Sequence, residues 1–318
     1  MDLLAGLLDG PRAHGAFVLR TVLAPPWSIR IEDRSPLTLA ALLSGTAAVV
    51  ADDGTVETLH PGDVAVARGV EPYTIADDPG RPPDIVIRPG QRCTTPDGVD
   101  LHDLLTIGTR TWGNDPAGTT VMLVGSYQIE GEVGARLLDA LPTRCVVRAD
   151  RADRRLLDVL ADEATQDRPG QQAVLDRLLD LVLIATLRTW FDRPGADAPA
   201  WFRAQGDPMV GPALRLIHDR PAHPWTVELL AREVGVARPT LARRFSQVMG
   251  QGPVAYLTGW RLALAADLLA DPAATVTAVA HQVGYGTPYA FSTAFKRAFG
   301  VSPSAHTARV RSAVSLAG

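Results

Sequence analysis

The chain has 318 residues, 46% of them hydrophobic, which suits two packed domains and excludes a disordered chain. The net charge of −4, taken whole, speaks against nucleic acid, and two cysteines, Cys93 and Cys145, exclude a disulfide framework and a structural zinc cluster. No apolar run reaches the roughly 18 residues that a membrane span requires.

The stretch Met1–Leu8 carries Asp2 and no basic leader, so it does not read as a signal peptide, and a cytoplasmic location is expected. Residues 1–148 then read as a small β-barrel. The runs FVLRTVLA, WSIRIED, LTLAALLSG, AAVVADDG, DVAVARG and TVMLVGSYQI are short and apolar, with Gly, Pro and Asp-Gly turn signals between them. In His60–Gly69 a Pro-Gly-Asp turn leads into an apolar strand that a glycine ends, which resembles the turn of a cupin barrel. A cupin metal site needs several converging ligands. Here only His14, His60 and His102 are available, and Tyr73 stands where a histidine is often found, so no metal and no cofactor are expected. A small barrel either fills its interior with side chains or holds one small ligand. Trp27, Arg30, Trp112 and Tyr127 are candidates to line such a site, with core packing as the plainer role for the aromatics.

Residues 149–191 form an amphipathic helix pair. Leu156, Leu157 and Leu160 make one apolar stripe, Pro169-Gly170 interrupts, and Leu175, Leu178, Leu179, Val182, Leu183, Thr186 and Leu187 make a second. Such stripes bury either on the barrel or on the same pair in a second chain, and a homodimer is expected. Residues 192–208 are rich in Pro, Gly and Ala and read as a linker, in which Trp201 and Phe202 are able to dock.

Residues 209–318 carry the clearest signal. From Asp207 onward there are 11 Lys and Arg against 6 Asp and Glu, net +5, which leaves −9 for the rest. A basic end on an acidic body suits a protein that places one end on phosphate. The run WTVELLAREVGVARPTLARRF offers an N-cap at Thr226, Glu228 in the first turn, a break at Gly235 and a second helix from about Arg238 to Met249. The run VTAVAHQVGYGTPYAFSTAFKRAFGVSP repeats that frame. Ala231, Val234, Gly235, Leu241, Phe245, Gly250 and Pro253 correspond to Ala280, Val283, Gly284, Phe291, Phe295, Gly300 and Pro303. Between the copies an apolar helix (AYLTGWRLALAADLL) reads as a rigid strut.

These residues, roughly Val210 to Arg311, resemble the AraC/XylS family of bacterial transcription activators. Members commonly follow the last Pro with an aromatic and an arginine, whereas this chain has SPSAHTARVR, with His306 in the aromatic's place. The resemblance implies double-stranded DNA and RNA polymerase as partners and a non-enzymatic activator of α+β fold, a cupin-like barrel followed by helices. It places the first reading helix on Arg238, Pro239, Thr240, Arg243 and Arg244, with Arg243 as base reader, since arginine can bond guanine O6 and N7 together. The second falls on Thr287, Pro288, Tyr289, Ser292, Thr293, Lys296 and Arg297, which suit phosphate anchoring better than base readout. The plainer roles are a solvated face for Lys296 and Arg297 and phosphate or solvent for Arg244. The run GTRTWGNDPAGTTVMLVGSYQIEGEV resembles the sensor half of one subgroup, some of whose members sense oxidants through barrel cysteines. Cys93 beside Arg92, and Cys145 beside Arg144 and near Arg148, are therefore redox candidates, with inert buried thiols as the alternative. The expected function is transcription regulation controlled by a small molecule or a redox signal. The alternatives are a cupin metalloenzyme and a constitutive DNA-binding protein whose barrel only dimerises.

Overall fold

The computed structural model of the chain describes residues 17–69, 71–108, 110–127, 129, 131–166, 168–193 and 198–317. His14 and the Met1–Leu8 stretch lie outside the described residues. The chain divides into two compact units, one of residues 17–129 and 138–193, the other of residues 131–137 and 198–317. No described helix is long and apolar enough to cross a membrane.

The first unit is built of two sheets. One contains, in order, β10 (Thr106–Gly108), β11 (Thr111–Trp112), β1 (Phe17–Leu23), β12 (Thr120–Tyr127), β3 (Leu37–Ser44), β6 (Val64–Arg68) and β13 (Arg144–Val147). The other contains β5 (Val56–Leu59), β4 (Ala47–Ala51), β7 (Tyr73–Ala76), β2 (Ser28–Ile31), β8 (Ile85–Arg88) and β9 (Arg92–Thr94). Helix α1 (His102–Leu105) links β9 to β10. Strand side chains alternate between faces, and the inward set (Leu23, Trp27, Ile29, Leu42, Ile75, Ile85, Trp112 and Met122) packs as one buried cluster between the sheets. The interior is therefore filled by side chains.

The Pro-Gly-Asp turn has a clear physical role. Gly62 takes φ +93°, a left-handed conformation that glycine adopts without strain. This delivers Asp63, 2% exposed, to three donors: the His60 N–H at 3.0 Å, the Ala149 N–H at 2.8 Å and Arg148 Nη1 at 2.9 Å. The turn thus ties the start of β6 to the end of β13.

Helix α3 (Arg154–Ala164) and helix α4 (Gln171–Phe191) follow β13. Leu157, Leu160, Leu175, Leu179, Val182, Leu183, Thr186 and Leu187 are all buried within the single chain. Leu179 lies so close to Gly125 of β12 that a Cβ there would stand 2.5 Å from it. Of the two destinations open to the stripes, the barrel's own outer face takes them.

The second unit is helical apart from its turns. It contains α5 (Ala200–Gln205), α6 (Val210–Asp219), α7 (Val227–Glu233), α8 (Arg238–Met249), α9 (Pro253–Leu268), α10 (Val276–Gln282), α11 (Pro288–Phe299) and α12 (Pro303–Ala317). It also takes in residues 131–137 of α2 (Gly131–Ala140). Residues 200–205, read above as linker, are a helix instead, because Ala204 is fully buried and Trp201 packs on the same core. Residues 194–197 of that stretch are outside the described residues.

The strut is α9, and it serves two cores. Leu257, Trp260 and Ala263 join Leu230, Ala231, Leu241 and Phe245 in one cluster. Leu262, Ala265, Ala266 and Leu269 join Val279, Ala280, Phe291 and Phe295 in another. A helix wedged between two cores must be apolar on both sides, which accounts for its sequence.

Candidate nucleic-acid interface

The two helix-turn-helix copies coincide in detail. Thr226 Oγ1 accepts the Leu229 N–H at 3.1 Å, and Thr275 Oγ1 accepts the Ala278 N–H at 3.2 Å, so each first helix starts on a threonine cap. Gly235 (φ +73°) and Gly284 (φ +88°) make the turns, in a region that disfavours any side chain. Gly250 and Gly300, at φ +71° and +73°, end the second helices as left-handed C-caps. The matched pairs Leu241/Phe291 and Phe245/Phe295 are completely buried. His306 packs edge-on against Phe295 at 5.4 Å, in the place that the resemblance gives to an aromatic.

With those faces committed to the cores, what remains of α8 and α11 is polar and open. On α8, Arg238, Pro239 and Arg243 are exposed, and Thr240 is half-buried. Arg243 has no ion-pair partner among the described residues. Arg238 Nε lies 2.7 Å from Glu228, with both side chains more than half exposed. Such a surface pair contributes little, so its guanidinium is readily exchanged to a phosphate. On α11, Tyr289 is 83% exposed, and Thr287, Thr293, Lys296 and Arg297 are exposed beside it. Ser292 and Pro288 are half-buried. Thr287 is partly spent on structure, since its Oγ1 accepts the Ala290 N–H at 3.2 Å.

Arg244 differs from the other candidates. Its Nε donates to Asp207 Oδ2 at 2.6 Å, and the Asp207 carboxyl is 4% exposed. The same carboxylate accepts the Met209 and Val210 N–H groups at 3.0 and 2.9 Å, at the start of α6. Burial pushes the Asp207 pKa up, but these backbone donors and Arg244 outweigh it and hold the group below the ordinary carboxylate range. Arg244 is thereby a tether of α8 to α6. Sequence reasoning missed Asp207, although an aspartate just before an apolar helix is a recognisable helix-start signal.

The barrel candidates separate by face. Trp27 and Trp112 are inside, in the packed cluster. Arg30 is not: Ile29 and Ile31 point inward, so Arg30 points outward, paired with Asp52 at 2.5 and 2.9 Å. Tyr127 shares its face with Gly125, against α4, where burial first and then Asp180 and Asp176 raise its pKa. Arg30 and Tyr127 therefore do not line the interior. Among the described residues no group of three His, Cys, Asp or Glu side chains comes together to hold a metal. His60 and His102 are exposed.

Cys93 and Cys145 are both free and 4% exposed. Cys93 belongs to the interior cluster, and so does Val146, so Cys145 faces the opposite side of its sheet. A wall of barrel thus separates the thiols. Burial pushes their pKa up to about 11 and about 12. Arg148, one of the two cations expected near Cys145, is spent on Asp63, Glu57 and the Thr58 carbonyl, and the cation that does act on the thiol, Arg193, is outweighed by burial. At neutral pH both thiols are then held in the unreactive protonated form. Native protein is accordingly expected to resist iodoacetamide for an hour at pH 7.5, while unfolded protein labels at both cysteines. Rapid native labelling read by mass spectrometry would show the opposite.

Two halves, a side-chain-filled double sheet and a doubled helix-turn-helix with open polar helix faces, define a DNA-binding regulator with a cupin domain. A family model described as cupin matches residues 2–192, and one described as a helix-turn-helix domain matches residues 230–309. An AraC-like transcription regulator of Streptomyces lividans is 30% identical over 310 residues, covering 95% of this chain and 97% of that protein. The regulator AlkR of Acinetobacter baylyi is 28% identical over 95% of this chain and 98% of its own length. An AraC-like regulator of Streptomyces antibioticus is 38% identical over 191 residues, which span 63% of that relative's length. The chain belongs to the AraC-like family of DNA-binding transcription regulators.

Proposed function

We propose that the chain is a signal-controlled transcription regulator in which α8 and α11 enter successive major-groove segments of one DNA site. The observation that carries this reading is the pairing of two equivalent helices, each with its apolar face buried and a polar, partly cationic face open. Arg243 is the base reader. Arg238, Lys296 and Arg297 are phosphate contacts, and Tyr289 with Thr293 contributes short-range readout. Arg244 acts from behind, through Asp207. Arg243→Ala is expected to weaken binding to a cognate duplex by about 1–3 kcal/mol and to relax preference at one base position. Anisotropy titrations against single-base variants of the site measure both, and an equal loss on every sequence would make Arg243 a phosphate contact instead.

The cupin unit is the sensor in this reading, and a small-molecule effector is favoured over thiol oxidation by the burial and high pKa of both cysteines. The chain acts as a homodimer on RNA polymerase at its promoter. Val159 of α3 and Val174 and Leu181 of α4, each about half exposed, supply the apolar residues left over for a second copy.

A further inference from the structure

Helix α2 lies in the sequence between two barrel strands, β12 and β13, yet its first seven residues belong to the DNA-binding unit. What holds them there is specific. The Asp267 carboxylate, near the C-terminal end of α9, accepts the Glu132 N–H at 2.6 Å and the Val133 N–H at 3.2 Å. A carboxylate at that place satisfies two orphan donors of α2 and faces the positive end of its dipole. Burial raises the Asp267 pKa, and the two N–H groups counter that. Gly131 stands at φ +83° where a Cβ would lie 2.5 Å from Asp267 Oδ1, so glycine is needed for the approach. The side chain of the same Val133 is 5% exposed in the core cluster that holds Trp260. Arg136 Nη2 then donates to the Gly259 carbonyl at 2.7 Å.

The two polar attachments fall on α9 at Gly259 and Asp267, about 12 Å apart along its axis at 1.5 Å per residue. Gly259 is the pliable point of that helix, since a glycine in a helix interior costs about 1 kcal/mol relative to alanine. Helix α9 also carries both reading units, because its two faces build the two cores. Bending it at Gly259 would change the angle between α8 and α11.

We propose that α2 is a splint on the strut: Gly131, Val133 and Arg136 brace α9 from Gly259 to Asp267 and so preset the spacing of the two reading helices. It makes α2, which lies in the chain between β12 and β13, a covalent route by which the sensor adjusts DNA affinity. Gly131, Arg136 and Asp267 are positioning residues, remote from the bases, and the inference rests on the two-helix reading of DNA proposed above. Preorganisation of this kind raises affinity by removing a cost otherwise met on binding.

The test uses the full-length protein, a duplex of its own upstream region and a random-sequence duplex, titrated by anisotropy. Arg136→Ala, whose side chain is exposed, and Gly131→Ala are each expected to weaken upstream binding by about fivefold. Random-sequence binding stays within twofold, and melting temperature barely moves for Arg136→Ala. The sharper arm is rescue. Gly259→Ala in the Arg136→Ala background stiffens α9 by other means, and no arginine remains for the new Cβ to meet, so upstream affinity returns to within twofold of wild type. Unchanged upstream affinity in both single variants, an equal loss on random DNA, or failure of the rescue each overturns the splint. Absence of any upstream preference in the wild-type protein would instead overturn the DNA reading beneath it.

Discussion

Asp207→Ala lowers the stability of the DNA-binding unit by about 3 kcal/mol, a drop of roughly 10 °C in its calorimetric transition. Two losses add. The Met209 and Val210 N–H groups lose their acceptor at the start of α6, worth about 1 kcal/mol. Arg244 loses a charge-assisted bond to a buried carboxylate, worth about 1.5–3 kcal/mol, with the lower part of the range favoured because the guanidinium is 46% exposed and partly rehydrates. Asp207→Asn separates the two: its Oδ1 still accepts at α6, but its amide cannot accept from Arg244, so about half the loss is expected. The sign with pH follows from the depressed pKa. Stabilisation by Asp207 is complete above the unfolded-state carboxylate pKa and fades as pH falls through the lower folded value. Calorimetry of the full chain at neutral pH decides the matter, and an Asp207→Ala transition within 2 °C of wild type would remove the tether from the description.

The second large effect is acid sensitivity centred on His218. Its ring is 9% exposed, stacks on Trp260 at 4.2 Å, and shares a 2.8 Å hydrogen bond with the Tyr256 hydroxyl through Nε2. Its Nδ1 has no hydrogen-bond partner among the described residues. Burial pushes the pKa down to about 4, with Asp219 pulling it up and Arg136 pushing it further down. The unfolded ring titrates near 6.5. Between those values the unfolded chain holds the extra proton, so stability rises with pH. Acidification therefore costs nothing above about pH 6.5 and about 3 kcal/mol once pH has fallen to 4, at 1.36 kcal/mol per unit. Urea unfolding at pH 7.5, 5.5 and 4 reads this directly. His218→Gln, which keeps a hydrogen bond to Tyr256, is expected to flatten the profile between pH 6.5 and 4 relative to wild type. An unchanged profile would assign the acid loss to other groups.

What the sequence displays and what it hides divides along locality. The doubled helix-turn-helix is legible because each copy carries its own punctuation: Thr226 and Thr275 as caps, Gly235 and Gly284 as turns, Pro253 and Pro303 after the C-caps. The strut is legible from its all-round apolar character, and the structure explains that character by two cores rather than one. Helix α2 is not legible. Its segment GEVGARLLDA holds two glycines in its first turn, and its cap, Asp267, lies 135 residues downstream. The linker helix α5 is hidden for a similar reason, since the Trp201 side chain finds its core only in the folded unit. Face assignment on strands is fragile, because a single residue decides it: Arg30 and Tyr127 suit a lined site by type and fall outside the barrel by register. Arg244 reads as one more arginine of a recognition helix until Asp207, 37 positions earlier, is seen to hold it.

Binding of the full-length protein to its own upstream duplex, measured against random-sequence duplex at 50 and 200 mM salt, tests the regulator most directly. Phosphate contacts are shared by both duplexes and weaken together with salt. A protein that reads bases through Arg243 and its neighbours keeps a preference of about a hundredfold or more for the upstream duplex at the higher salt. Equal collapse of both affinities at 200 mM salt would contradict sequence-specific reading and leave the basic unit as a phosphate binder alone.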